Sequence, residues 1–244
     1  MVQAWGLTDP GMVRSQNQDD YAILKLSRDQ LLAIVCDGMG GARSGNIASK
    51  MAVEVFSDEV RRTIRPNMKS DRIDKMLTDA LELANKAVYE QSQVSEEYKG
   101  MGTTLVAALF QKDRVTVANV GDSRAYLFNK DGVQSITTDH SLVELMVQRG
   151  ELTREAAKNH PGKNLITRAV GTESSVACDL YHNQLTKGDS VLLCSDGLSN
   201  IMSDQEILFE VVHGVNKNDC CQRLMKIANY RGSPDNVTIT LIAF

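Results

Sequence analysis

Long apolar runs are absent from this 244-residue sequence. The most extended, such as Leu105 to Phe110, fall far short of the roughly 18 residues that a membrane span requires. An excess of positive charge is absent too. The 27 basic and 31 acidic residues leave a net charge of −4, which argues against nucleic acid or an anionic membrane as a partner. No basic, apolar and small-residue succession opens the sequence, so no secretory leader is expected. The five cysteines, Cys36, Cys178, Cys194, Cys220 and Cys221, are odd in number and lack zinc-type spacing. Cys36 and Cys194 fall inside apolar runs, where a thiol acts as a small hydrophobe. A reduced, cytoplasmic protein is the expectation. Linkers and low-complexity tracts are also missing, which points to one domain over residues 1–244 with chain enough for a substantial core.

What the sequence does contain is one pattern twice, about 160 residues apart. Leu31-Leu32-Ala33-Ile34-Val35-Cys36 ends in Asp37-Gly38, and Val191-Leu192-Leu193-Cys194-Ser195 ends in Asp196-Gly197. Each run is short, rich in branched residues and bounded by turn formers, which predicts a buried strand. A carboxylate at the end of a buried strand is costly unless a positive charge meets it. Two such carboxylates suggest one shared cation site.

The remaining pattern predicts strands at Val2 to Asp9, Tyr21 to Leu26 and Gln30 to Cys36. From about Ser44 the apolar period becomes four, with Ala48, Ala52 and Phe56 on one helix face. A second helix follows Asp71. Four strands come next, at Thr103 to Phe110, Arg114 to Val120, Arg124 to Phe128 and Val133 to Ile136. The polar segment from Ser141 to about Ser175 reads as helical in pieces. Strands resume at Val176 to Leu185 and Ser190 to Cys194, followed by helices near Asp204 to His213 and Asp219 to Asn229 and a last strand, Val237 to Phe244. This order is not the strict β-α alternation of a doubly wound parallel sheet. Short turns between consecutive strands mean antiparallel sheets, and two amphipathic helix pairs each need a sheet face. An α+β fold with sheets packed on each other and helices outside meets both needs.

Two further aspartates occupy comparable places: Asp122 between two strands, and Asp235 at the start of the last. Any one of these residues also fits ordinary turn chemistry. Asp37 and Asp196 stand out because they end the most apolar strands and lead into helical patterns. An all-oxygen donor set favours Mg²⁺ or Mn²⁺. Asp37, Asp196, Asp235 and a bridging hydroxide balance two divalent ions, the usual arrangement for activating water against a phosphate ester. Arg14 precedes Asp19 and Asp20 just before a strand. An arginine fork suits a phosphate dianion, although this stretch alone favours a solvated turn with a surface ion pair. Covalent routes lack their motifs. Val35 stands where an aspartyl-phosphate enzyme needs Asp, Leu193 where a serine nucleophile elbow needs Gly, and Arg43 where a dinucleotide loop needs its third Gly.

Seven segments occur together in one order: Val13-Arg14-Ser15-Gln16-Asn17-Gln18-Asp19, Asp37-Gly38-Met39-Gly40-Gly41, Gly102-Thr103-Thr104, Gly121-Asp122-Ser123-Arg124, Asp139-His140-Ser141, Ser195-Asp196-Gly197-Leu198 and Asp235-Asn236-Val237-Thr238. With them the whole chain resembles the metal-dependent Ser/Thr protein phosphatases (PPM, or protein phosphatase 2C) in their compact bacterial form. The resemblance implies a four-layer α/β/β/α sandwich of two antiparallel sheets flanked by helix pairs, with the metal centre at one end. It implies hydrolysis of phosphoserine and phosphothreonine by direct attack of a water or hydroxide bridging two Mn²⁺ or Mg²⁺ ions. Asp37 would bridge the ions, the Gly38 carbonyl would be a further ligand, and Asp196 and Asp235 would complete the first site. Asp19 would act in the outer shell through water, Asp122 with Asp196 would form a third, weaker metal position, and Arg14 would hold the substrate phosphate. Residues from Asp139 to about Gly171 would include a mobile flap that influences substrate choice. The implied partners are phosphorylated proteins, a Ser/Thr kinase of the same cell among them, in cytoplasmic signalling by a monomer.

The chain departs from the pattern in one place. Bacterial relatives carry His and Glu after Asp-Gly-Met-Gly-Gly, where Ala42 and Asn46 stand here. A histidine near the leaving oxygen could serve as general acid, and this loop offers none, so slower turnover is expected. His140 is expected to be a packed or capping residue rather than that acid. The competing reading is a pseudophosphatase, the same fold kept as a phosphoprotein-binding or regulatory module with little catalysis.

Overall fold

The computed structural model describes residues 2–214 and 216–244, with the backbone alone described at 41–43. Strand β1 (Gln3–Asp9) is followed by the hairpin of β2 (Asp19–Lys25) and β3 (Gln30–Met39), and then by two long helices, α1 (Gly41–Thr63) and α2 (Ser70–Ser92). A two-residue strand β4 (Gly102–Thr103) leads into the meander β5 (Leu105–Gln111), β6 (Arg114–Val120), β7 (Arg124–Asn129) and β8 (Gly132–Ser135). Short helices α3 (Leu142–Gln148) and α4 (Arg154–Ala157) precede β9 (Asp179–Gln184) and β10 (Ser190–Cys194). The chain finishes with α5 (Asp196–Ser199), α6 (Asp204–His213), α7 (Cys220–Tyr230) and β11 (Val237–Ala243).

The strands form two antiparallel sheets. One has the order β1-β11-β10-β7-β8, the other β2-β3-β5-β6-β9, with β4 added to the end of β3. The central strands are buried on both faces, which is why they read as unbroken apolar runs. Period-two alternation sorts their side chains. Ala33, Val35, Val106, Ala108, Val117, Leu127, Val191 and Leu193 fill the layer between the sheets. Leu32, Ile34, Cys36, Leu105 and Ala107 face outward against α1 and α2, chiefly Ala48, Ala52, Phe56, Leu77, Leu81 and Val88. On the other sheet Leu192, Cys194, Val237, Ile239 and Leu241 face α6 and α7 through Ile207, Val211, Leu224 and Ala228. The result is the expected four-layer sandwich, helices–sheet–sheet–helices.

Several boundaries differ from the sequence reading. The strand expected to stop at Cys36 continues through Asp37 and Gly38 to Met39, because β4 supplies it with a further partner: Gly38 opposes Thr103 and Met39 opposes Gly102. The strand expected over Thr103 to Phe110 is accordingly broken at Thr104 into β4 and β5. The strand expected over Val176 to Leu185 shortens to Asp179–Gln184, and the helical pattern expected after Asp196 starts at once, as the short helix α5.

Candidate metal centre

The two Asp-Gly strand ends face each other at one end of the intersheet layer. On β3, Asp37 has the same parity as Ala33 and Val35, so its side chain enters that layer. Asp19, at the start of β2, lies directly opposite Asp37 in the ladder. The other sheet contributes the end of β10, where Ser195 leads into Asp196 at the first position of α5, and the start of β11, preceded by Asp235. Asp122 lies in the β6–β7 turn. The electrostatic field at Asp37 contains Asp19, Asp196, Asp122 and Asp235, and this places all five in one cluster.

Hydroxyls hold these carboxylates. Asp19 is 8% exposed; its Oδ2 accepts hydrogen bonds from Ser195 Oγ and Thr238 Oγ1, both at 2.7 Å, which ties the two sheets together. The Asp37 main chain is fixed by Thr104, whose Oγ1 accepts the Asp37 N–H at 2.9 Å and whose N–H donates to the Asp37 carbonyl at 2.9 Å. Thr104 Oγ1 also shares a 2.7 Å hydrogen bond with Ser123 Oγ beside Asp122. Asp196 Oδ2 accepts from Asn200 Nδ2 at 2.9 Å. Gly38 has no alternative residue: a Cβ there would meet the carbonyl oxygens of Gly45 and Gln18, so the first turns of α1 can lie on the strand end only over a bare backbone.

Burial and repulsion set the charge state. Desolvation first, then hydrogen bonds from Thr238 and Ser195 in partial compensation, and the charges of Asp196 and Asp235, push Asp19 up to about 7. Burial, Asp196 and Asp139 push Asp122 up to about 7 as well. Asp37 is raised well above the ordinary carboxylate range by burial and by its four acidic neighbours. Asp196 is raised by burial and by Asp235. The nearby arginines offset this only in part, and neither pairs with Asp37, Asp19, Asp122 or Asp196. Arg14 Nη2 donates to Asp235 Oδ2 at 2.9 Å, which raises the Arg14 pKa, and Arg124 forks onto Asp139 at 2.7–3.1 Å.

These groups fit divalent cations. The donors are all oxygen, and Asp19 Oδ1 and Asp196 Oδ1 are buried with no hydrogen-bond partner among the described residues. Such orphaned anionic oxygens call for a cation. No three acidic, histidine or cysteine side chains among the described residues form a closed ligand set. Asp235 is turned to Arg14 and to the Asn236 N–H, so Arg14, expected at the substrate phosphate, is paired with an expected metal ligand.

The loop bearing Arg14 is pinned by a residue that sequence reading left unassigned. Asn236, 4% exposed, donates from Nδ2 to the carbonyls of Pro10 and Gln16 and accepts the Gln18 N–H at Oδ1. Asn46 is exposed on α1, and the side chain of Ala42 lies outside the described residues. His140 is buried, with both ring nitrogens engaged: Nδ1 accepts the Gly121 N–H at 3.1 Å and Nε2 lies 3.1 Å from Asp179 Oδ2. The segment 139–171 carries α3 and α4 and is rooted by bridges between Ser141 and Ile166 and between Thr103 and Val170. Ser195, Thr238, Thr104 and Asn236 were missed by sequence reading. Only Thr238 lies inside a strand, where a polar side chain in an apolar run is a signal; Ser195, Thr104 and Asn236 sit just outside strand ends and read as turn residues.

Comparison with known proteins decides the family. Residues 13–226 match the family model described as Protein phosphatase 2C. The chain belongs to the protein phosphatase 2C family. It is 37% identical over 235 residues to the serine/threonine phosphatase stp of Listeria welshimeri, covering 96% of this chain and 93% of that one. The solved serine/threonine phosphatase of S. agalactiae superposes with a TM-score of 0.94 at 37% identity, covering 100% of this chain and 99% of its own. The catalytic domain of the serine/threonine protein phosphatase PstP, solved with two manganese ions, superposes with a TM-score of 0.84 at 30% identity, covering 99% and 97%. The aspartate cluster of this protein phosphatase 2C chain lies where the two sheets open at the ends of β3 and β10.

Proposed function

We propose that this chain is a metal-dependent protein-serine/threonine phosphatase centred on Asp37, Gly38, Asp196 and Asp235. Asp19 acts from the outer shell, and Asp122 with Asp196 provides a weaker third metal position. The observation that carries the reading is the burial of mutually repelling carboxylates with orphaned oxygens on Asp19 and Asp196. Manganese or magnesium, two ions with a third at Asp122, would be held by these residues. When bound, the ions supply a water acidic enough to attack at neutral pH and neutralise the phosphoryl oxygens.

The chain's own residues supply position. Arg14 is half-exposed and borders Asp235, so its fork can pass from that carboxylate to a phosphate dianion, which it fits in two-point fashion. Asn236 fixes the Arg14 loop before substrate arrives, so orientation costs little at the moment of reaction. Ser195 and Thr238 hold Asp19 Oδ2 and leave Oδ1 buried without a hydrogen-bond partner among the described residues. His140 does not protonate the leaving oxygen, because the Gly121 N–H and Asp179 occupy both its nitrogens inside the fold. The substrates are phosphorylated proteins, with a Ser/Thr kinase as counterpart, and the working form is a cytoplasmic monomer. No helix among the described residues is long and apolar enough to cross a membrane.

A substrate panel tests this reading. p-Nitrophenyl phosphate and phosphoserine or phosphothreonine peptides should be hydrolysed with Mn²⁺ and spared with EDTA, while a phosphate bis-ester and nucleic acid remain intact. Phosphopeptide binding without turnover would establish the pseudophosphatase instead, and turnover indifferent to EDTA would remove the metals from the account.

A further inference from the structure

The Asp122 turn is held by a residue from outside it. Gly121 has φ +106°, a conformation side-chain-bearing residues rarely adopt, and a Cβ there would lie 2.6 Å from Thr104 Cγ2. With no side chain to anchor, the residue can be fixed only through its two peptide groups. His140 takes both. The Gly121 N–H donates to His140 Nδ1 at 3.1 Å, and the His140 N–H donates to the Gly121 carbonyl at 2.9 Å. Asn119 Nδ2 adds a long contact of 3.4 Å to the same carbonyl.

This geometry settles the tautomer. Because the Gly121 N–H can only donate, Nδ1 accepts and the neutral ring carries its hydrogen on Nε2, which lies 3.1 Å from Asp179 Oδ2 and 3.2 Å from Arg168 Nη1; only the carboxylate can accept that hydrogen. Arg168 Nη1 donates to Asp179 Oδ1 at 2.8 Å, and the His140 carbonyl accepts the Thr167 N–H at 2.7 Å. One buried imidazole thus joins the turn that carries Asp122 to the far end of the 139–171 segment and to the edge strand β9.

We propose that His140 is a positioning residue for metal binding: through Gly121 it holds Asp122 in place for the weakest cation. This inference rests on the metal-dependent reading above. It separates the two ring nitrogens. Asparagine at 140 places Oδ1 where Nδ1 stands and keeps the Gly121 clamp, while glutamine reaches the position of Nε2 and loses it. Removing Asp179, whose side chain is 40% exposed, leaves the ring free to flip and exchange Nδ1 for carbon.

The experiment titrates metal-free wild type, His140→Asn, His140→Gln and Asp179→Ala with Mn²⁺, reading free Mn²⁺ by its electron paramagnetic resonance signal. Hydrolysis of p-nitrophenyl phosphate is followed separately. His140→Gln should weaken the weakest binding step about fivefold to tenfold, with the tighter steps within about twofold of wild type; this split is what positioning of a single ligand predicts. His140→Asn should stay within about twofold throughout, and Asp179→Ala should weaken the same step about threefold, by the same second-shell logic. If His140→Gln does not fold, the other two variants decide. Isotherms unchanged in every variant, all steps weakened together, or no weak third step in the wild type would each overturn the proposal. Manganese binding without hydrolysis by the wild type would remove the phosphatase reading and leave the clamp to be judged on the isotherms.

Discussion

Replacing Asp37 by asparagine should stabilise the metal-free protein while abolishing its response to metal. Asp37 and Asp19 face each other across the β2–β3 ladder, where opposed Cβ atoms stand roughly 4.5–5.5 Å apart. Two unit charges about 5 Å apart repel by about 3 kcal/mol at an effective dielectric of 20. Asparagine keeps the shape and removes the charge. The gain depends on pH with a definite sign. Carboxyls raised above their unfolded values hold protons in the native state that the unfolded chain has released, so native stability falls as pH climbs from about 4 to about 7. Asp19, held up to about 7, and Asp37, raised well above the ordinary carboxylate range, both act in this direction. At pH 8 in EDTA, Asp37→Asn should therefore melt about 6–12 °C above wild type, taking 2–4 °C per kcal/mol for a chain of this size. At pH 5 the advantage should shrink to about 1 kcal/mol, because the wild-type carboxyls are then largely protonated. Manganese at a hundredfold its dissociation constant adds about 2.7 kcal/mol to a protein that binds it, and that increment should vanish in the variant. Thermal unfolding with EDTA and with Mn²⁺ at the two pH values reads all four quantities. A variant that melts below wild type in EDTA at pH 8, or gains as much from Mn²⁺, would refute the cluster's electrostatics.

Other changes probe separate parts. Arg14→Ala should lower kcat/KM for phosphomonoesters about 100-fold, in line with losing charge-assisted bonds worth ~1.5–3 kcal/mol, while the Mn²⁺ isotherm by calorimetry is unchanged or tighter once Asp235 is released. Arg14→Lys should recover little of the rate, since an ammonium cannot form the two-point fork. Gly38→Ala should cost at least about 1–3 kcal/mol in urea unfolding, because its Cβ meets backbone oxygens that cannot step aside. Glu206→Ala removes the capping box with Ser203 and the Arg231 ion pair, and should cost about 1 kcal/mol at pH 7. The cap and Arg231 hold Glu206 down to about 2. Its contribution is therefore complete above about pH 4.5 and lost as pH falls toward 2, and the variant's acid limb should be flatter.

Much of the architecture was legible because burial on both faces leaves a simple signature. The runs ending at Cys36 and Cys194, the meander from β5 to β8 and the helix stripe through Ala48, Ala52 and Phe56 all follow from local periodicity. Boundaries failed where a partner from elsewhere changed the local rule, as when β4 prolonged β3 past Asp37. Asp37 and Asp196 could be named from their position at apolar strand ends, whereas Asp19 and Asp122 were assigned to the metal site through the family resemblance. Their supports could not: Ser195 and Thr238 bond to Asp19 across 176 and 219 residues, a separation at which composition and spacing carry no information. The pairing of Arg14 with Asp235 was equally invisible, since each alone reads as a surface turn residue.

By itself the sequence determined which segments are strands and helices, which faces are apolar, and that acidic residues end the most buried strands, because each of these depends on neighbours within a few positions. Tertiary structure alone decided that five carboxylates meet at one place, that their charges repel there, and that the Ser195 and Thr238 hydroxyls hold Asp19 while Asn200 holds Asp196. Coulomb interaction and desolvation depend on distance and burial in three dimensions, and neither is written in the order of residues along the chain.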